Sequence, residues 1–243
     1  MNGNQVENEF IKTFHSKNLS ELTVQQQCFI KDIFPNINYS DEIISWKNKE
    51  KKKSDIFIKV NNLTKGISIK SGNENSMHSE QINYFIGFLK DLNISEKNIS
   101  IYQKYHYGKK ENNTNQEDKY TAKELKQIMK DDLKTLNKQL NKPKNIVKAV
   151  DRFVVHGIDA KYDIAAIISG TPSNFVWLKS DDIYDFALDF NKEKYEAPHF
   201  GMLIIQPKKR DLQNTNKYDN DINRIQIKWH NLYENITNYY HQK

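Results

Sequence analysis

Two short runs of alternating apolar and polar residues, DIFIKV at 55–60 and ISIKSG at 67–72, flank the Asn- and Gly-containing stretch NNLTKG. A period of two marks strands with one face on a core, and the residues between them mark a turn. From Ser76 the period changes. Ile82, Phe85, Ile86 and Leu89 recur at helical spacing, predicting a helix over about 78–92 with Ser76 or Ser79 as its N-cap. EIISWK at 42–47 predicts a further strand before a charged turn, KNKEKKKS. The chain must therefore build an antiparallel meander that runs into a helix. Along the 67–72 strand Ser68 and Lys70 share one face and Ile67 and Ile69 the other. The isoleucines should enter the core, leaving Ser68 and Lys70 to line a site.

The flanking sequence is mixed. Apolar positions at Val6, Phe10, Ile11 and Phe14, and again at Phe29, Ile30, Ile33 and Phe34, predict two N-terminal helices with a break near Ser16–Ser20. Pro35 ends the second. A helix is expected at 95–107 behind Ser95, then an exposed loop at 109–119. A long amphipathic helix at 121–141 follows, with Leu125, Ile128, Met129, Leu133, Leu136 and Leu140 on one side, and another starts at Pro143 and runs to about Val155. Strands are expected at 162–170, at NFVWLK before a helix capped by Ser180, at FGMLIIQPKKR, and at NRIQIKWHNLYENI before a last helix. A mobile loop is expected at 213–221. No repeat and no Gly/Ser linker interrupts the chain. One α/β domain over residues 1–243 is predicted, a mixed sheet flanked by helices with a helical insertion at about 95–155.

Asp55 opens the first strand of the hairpin, Lys70 closes the second, and Glu80 follows at the start of the predicted helix. Acid, lysine and second acid in that order suit hydrolysis of a phosphodiester. The reaction needs a cation to neutralise phosphate charge, an activated water and a stabilised leaving oxygen. Mg²⁺ takes hard oxygen ligands, one or two of them carboxylates, and a lysine beside it holds phosphate or water as a point charge.

Asp55 followed by S-I-K at 68–70 resembles the PD-(D/E)XK motif of restriction endonucleases. Ser68 stands where that pattern has an acid. Some members of the superfamily carry S-x-K and take the second acid from the following helix, and Glu80, twelve residues after Ser68, stands in a position to serve. The resemblance covers 54–90 most specifically. It implies a restriction-endonuclease-like fold and a Mg²⁺ site of Asp55 and Glu80, with Ser68 contributing its hydroxyl or carbonyl. Lys70 would position or activate water. His78 is placed to orient Glu80 or to meet phosphate. Glu74, read as a loop residue, and Glu9, on the first helix, are the other carboxylates for the metal.

Net charge is +6 with a pI near 9.0, the sign that suits a polyanion. Lys208, Lys209 and Arg210 follow one C-terminal strand, and Arg224 and Lys228 lie on its expected partner. These are candidates for phosphate contacts, with Gln206, Asn223 and Gln226 as candidate base readers. The expected partner is double-stranded DNA, and cutting both strands implies a homodimer on a palindromic target. Whether methylation blocks or licenses cutting leaves no mark on the sequence. Two other readings use the same residues: a structure-specific repair or junction nuclease, and a DNA-binding protein with a degenerate nuclease core. The lone Cys28, in the apolar run QQQCFIKDIF, excludes an internal disulfide and is expected to be buried. MNGNQVENEF lacks the basic and apolar regions of a signal peptide, and no apolar run approaches the ~20 residues of a membrane span. A cytoplasmic protein with no membrane partner is expected.

Overall fold

The computed structural model describes residues 3–50, 53–72, 74–108, 119–157, 163–190, 195–208 and 219–242. Its elements begin with α1 (Gly3–Phe14), β1 (Lys17–Asn18), a 3-10 turn at Leu19–Glu21, α2 (Val24–Ile33), β2 (Glu42–Lys47), β3 (Ile56–Val60), β4 (Leu63–Lys70) and β5 (Glu74–Gln81). Helices follow: α3 (Ile82–Asp91), α4 (Glu96–Tyr107), α5 (Ala122–Ile128), α6 (Lys130–Leu140) and α7 (Pro143–Val150), continued by a π-helical turn at Asp151–Val155. The last third holds β6 (Ile164–Thr171), β7 (Asn174–Lys179), α8 (Ser180–Asp189), β8 (His199–Phe200), β9 (Leu203–Pro207), α9 (Asp219–Ile222), β10 (Arg224–His230) and α10 (Leu232–Gln242). Two compact units result. The first is Met1–Asn75 with Val150–Phe186 and Asn231–Lys243; the second is Ser76–Ala149 with Ala187–His230.

The first unit is built on a six-stranded sheet in the order β1-β2-β3-β4-β6-β7. β2, β3 and β4 form the expected antiparallel meander, while β4 and β6 pair in parallel. β6 (IAAIISGT) is a nearly continuous apolar run because a strand inside a mixed sheet is covered on both faces. Helix α1 lays Val6, Phe10 and Phe14 on one face at four-residue spacing, and all three are buried. Phe175 of β7 meets Phe10 edge-on at 5.4 Å and Phe29 of α2 at 5.6 Å. α2 is tied to the β6–β7 hairpin by Gln25 Nε2 to Phe175 O (2.7 Å) and Gln26 Nε2 to Pro172 O (3.0 Å). Ile67 and Ile69 of β4 join this core, as their alternation predicts.

The second unit carries a four-stranded sheet in the order β5-β10-β9-β8. β10 alternates strictly: Ile225, Ile227 and Trp229 are fully buried, and Arg224, Gln226, Lys228 and His230 lie half-exposed between them. Phe85 of α3 meets Tyr102 of α4 at 5.0 Å, and Phe88 meets Phe200 of β8 at 6.1 Å. Leu133, Leu136 and Leu140 form the buried stripe of α6. Asn141 closes that helix, its amide donating to His199 O (2.9 Å) and its oxygen accepting from Gly201 N–H (2.7 Å).

Several expectations are corrected. Residues 78–81 are strand, not helix, and the helix begins only at Ile82, where the apolar stripe begins. Neither serine caps it: Ser79 Oγ donates to Ile225 O (2.9 Å), and Ser76 Oγ accepts from Gln226 (3.0 Å). Pairing with β10 outweighs the local helical start. NNLTKG is not all turn, since only Asn61 and Asn62 leave the ladder between Val60 and Leu63. Asn61 adopts φ 52, a conformation asparagine tolerates. The helix at 121–141 breaks at Met129 with neither Gly nor Pro to mark the place, and Ile128 is 62% exposed rather than on the apolar side. Cys28 is exposed on α2, because Phe29 and Ile30 occupy the inward face. The loops expected at 109–119 and 213–221 fall largely outside the described residues. Among the described residues no helix is long and apolar enough to cross a membrane.

Truncating the aromatic hub should be costly. Phe175→Ala is expected to lower unfolding free energy by about 3–5 kcal/mol in urea denaturation.

Candidate functional site

β3 starts at Ile56, opposite Ile67, while β4 runs on to Lys70. Beyond Ile67 the β3-facing edge of β4 has no strand partner, and an unpaired buried N–H there is unfavourable. Asp55, the residue before β3, fills the gap. Its N–H donates to Ile67 O (2.9 Å), and its carbonyl accepts from Asn48 N–H (3.0 Å), so its backbone is pinned on both sides. Its carboxylate Oδ2 then accepts from Ser68 Oγ (3.0 Å), Ile69 N–H (2.6 Å) and Lys70 Nζ (3.3 Å). Three consecutive β4 residues thus donate to one oxygen. Among the described residues no group donates to the other oxygen, Oδ1.

The Asp55 and Lys70 side chains are 24% and 18% exposed, so the pair sits at the edge of the interior rather than in open solvent. Ser68 is buried at 5% exposure. The sequence brings these three residues together as expected. It also holds a determinant that spacing alone does not reveal. A Cβ at Gly66 would lie 2.1 Å from Ser54 Oγ and 3.0 Å from Ser54 Cβ. Gly66 therefore lets the segment ending in Ser54–Asp55 lie against β4, next to a register shift between β4 and β6. A glycine inside a strand pattern is itself the signal of such a close approach.

The other candidates fall elsewhere. Glu80 belongs to the second unit, on β5 rather than on a helix, and is 5% exposed. Its Oε2 lies 3.3 Å from His78 Nε2, two residues back on the same strand. Glu74 begins the same strand instead of lying in a loop. Glu9 is half-buried on α1, and no hydrogen bond or ion pair joins it to Asp55 among the described residues. Lys208 is held by Asp221 at 2.9 Å, and Arg224 donates to Ser79 O at 3.2 Å. Lys209 and Arg210 lie outside the described residues. Gln226 reaches Ser76 on β5 (3.0 Å) and Gln206 on β9 (3.5 Å), making a polar row across three strands. Lys228 lies two residues along the same face of β10. Asn223 accepts from Tyr107 Oη (3.2 Å).

No family model and no curated protein matches the chain. Among solved structures the fold is similar to that of the restriction endonuclease MspI in complex with its cognate DNA. The TM-score is 0.51 and the identity 12%, over 93% of this chain and 88% of that one. The mixed sheets and flanking helices thus have a restriction-endonuclease-like α/β fold.

The Gly66 contact predicts a specific defect. Gly66→Ala should displace the Ser54–Asp55 segment and cost about 1–3 kcal/mol of stability, measured by urea unfolding.

Proposed function

We propose that this chain is a Mg²⁺-dependent, site-specific endonuclease of a restriction system that hydrolyses phosphodiester bonds of double-stranded DNA. One observation carries the reading: Asp55 is fixed through one carboxylate oxygen by Ser68, Ile69 and Lys70, while its other oxygen receives no donor among the described residues. The likeness of fold to an endonuclease solved with its cognate DNA supports it.

A partly exposed carboxylate with one oxygen clamped and one undonated suits a hard cation. Asp55 would hold Mg²⁺, with Ser68 adding a hydroxyl or carbonyl oxygen. The ion, when bound, supplies charge neutralisation at the scissile phosphate. Ser68 and the Ile69 N–H keep the carboxylate aimed. The Lys70 ammonium has three donors and spends one on Asp55. The remaining two can hold the attacking water or a phosphate oxygen close to the reacting phosphorus. The Ser76–Gln226–Gln206 row carries amides of the type that read adenine edges, and Arg224 and Lys228 share its face of β10. Two copies acting on a palindrome would cut both strands.

Digestion of unmodified and methylated phage DNA with Mg²⁺ tests the reading, and discrete bands on one of them are expected. Smearing or intact DNA on both would sink it, and binding without cutting would indicate a degenerate nuclease core. Lys70→Ala should slow cutting by at least about 10²–10³-fold, the usual loss of one charge-stabilising donor, while duplex binding in a gel-shift assay persists. Glu80→Gln decides the role of the second acid. Loss of cutting with retained binding assigns Glu80 to the metal; full activity moves that role to another carboxylate such as Glu74 or Glu9.

A further inference from the structure

A cleft of about 500 Å³ lies in the second unit, against one face of α5 and α6, with Tyr195 and Glu196 on its other wall. Lys126, Lys130, Lys134 and Lys138 line it at four-residue intervals. Such a lysine row is usually a solvated helix face. Three features of this one point further.

First, Glu196 is 3.7 Å from Lys126, while among the described residues no carboxylate pairs with Lys130, Lys134 or Lys138. Second, the helix itself does not explain the row. Lys130 sits in the first turn of α6, where the macrodipole disfavours a cation, and like charges four apart repel along the axis. Asp131 and Asp132 answer the dipole in that turn but do not line the cleft. Third, the opposite wall is stiff. Asn137 accepts from His199 N–H (3.3 Å) and donates to Ala197 O (3.2 Å), and Tyr195 packs against Phe190 and His199 at 5.6 and 5.7 Å. Burial holds the Tyr195 phenol above its ordinary range, so it stays a neutral donor.

The cleft's amides are committed to that wall. Asn137 and Asn141 both spend oxygen and nitrogen on backbone groups. The charged groups of the lysine row are ammoniums, point charges without the planar pattern that reads a base. From Lys130 to Lys138 the helix rises about 12 Å, and a DNA strand rises about 3.4 Å per nucleotide, so the row spans roughly three to four phosphates. We propose that Lys130, Lys134 and Lys138 bind the phosphodiester backbone of duplex DNA without reading its sequence. The inference rests on the nucleic-acid reading above but not on catalysis.

The test measures duplex affinity by fluorescence anisotropy in EDTA, across a salt series, with two duplexes of unrelated sequence. The protein carries Lys70→Ala throughout, so no cutting intervenes. Adding K130A, K134A and K138A together should weaken both duplexes alike and reduce the slope of log affinity against log salt by about three. Between about 50 and 200 mM salt the parent should lose roughly 40-fold more affinity than this variant. K130R/K134R/K138R should keep the parent slope, and K144A/K148A, on α7 outside the cleft, should fall well short of the triple variant's loss. In a separate measurement, duplex should shield the three lysines from an amine-acylating reagent read by mass spectrometry. An unchanged slope with unshielded lysines overturns the proposal, as does preference for single strands or loss confined to one sequence. Normal duplex binding through this row, with no cutting by the protein that keeps Lys70 in Mg²⁺, would sink the nuclease reading alone. Normal cutting with an unchanged slope would sink the lysine row alone.

Discussion

The clamp on Asp55 is the constraint that fixes the open end of the β3–β4 hairpin. A strand that outruns its neighbour leaves the Ile69 N–H on its open edge, and this donor, the Ser68 hydroxyl and the Lys70 ammonium all converge on a single carboxylate oxygen. Hydrogen bonds to a charged acceptor contribute about 1.5–3 kcal/mol each, so together they can hold a carboxylate at the edge of the interior in one orientation. Because they all use Oδ2, Oδ1 is left without a donor among the described residues. The arrangement depends on the backbone of Ser54 and Asp55 lying against β4, and Gly66 permits that approach.

The second unit handles its polar groups differently. β10 sends Ile225, Ile227 and Trp229 into a core and keeps Arg224, Gln226, Lys228 and His230 on the opposite face. The glutamine row reaching from β5 to β9 offers directional donors and acceptors, while the α5–α6 face offers ammoniums alone. The β10 face thus mixes the Gln226 amide with the cations Arg224 and Lys228, whereas the cleft side of α5 and α6 carries ammoniums.

Glu80 shows how the local structure around a candidate residue can differ from its sequence pattern. ENSMHSEQ has little apolar content, and the stripe beginning at Ile82 pulls the predicted helix backward over it. In the fold, Asn75 and Met77 turn inward and β10 supplies hydrogen-bond partners, so the segment extends. Cross-strand pairing is non-local and leaves no period in a segment this short. The break at Met129 is equally unmarked, since no breaker residue divides that amphipathic run into two helices.

Alternation in IFIKV and ISIK was sufficient to determine the meander, the inward isoleucines and the common face of Ser68 and Lys70, since strand geometry sends every second side chain the same way. Spacing also determined that Asp55 would stand at the mouth of the hairpin. Only the tertiary structure decided that one oxygen of that carboxylate would take all three donors, that Glu80 would lie buried on a strand beside His78, and that three lysines would line a cleft with no carboxylate partner among the described residues. Periodicity reports which face a residue occupies. What stands opposite that face depends on elements far away in sequence, and their meeting leaves no pattern within either one.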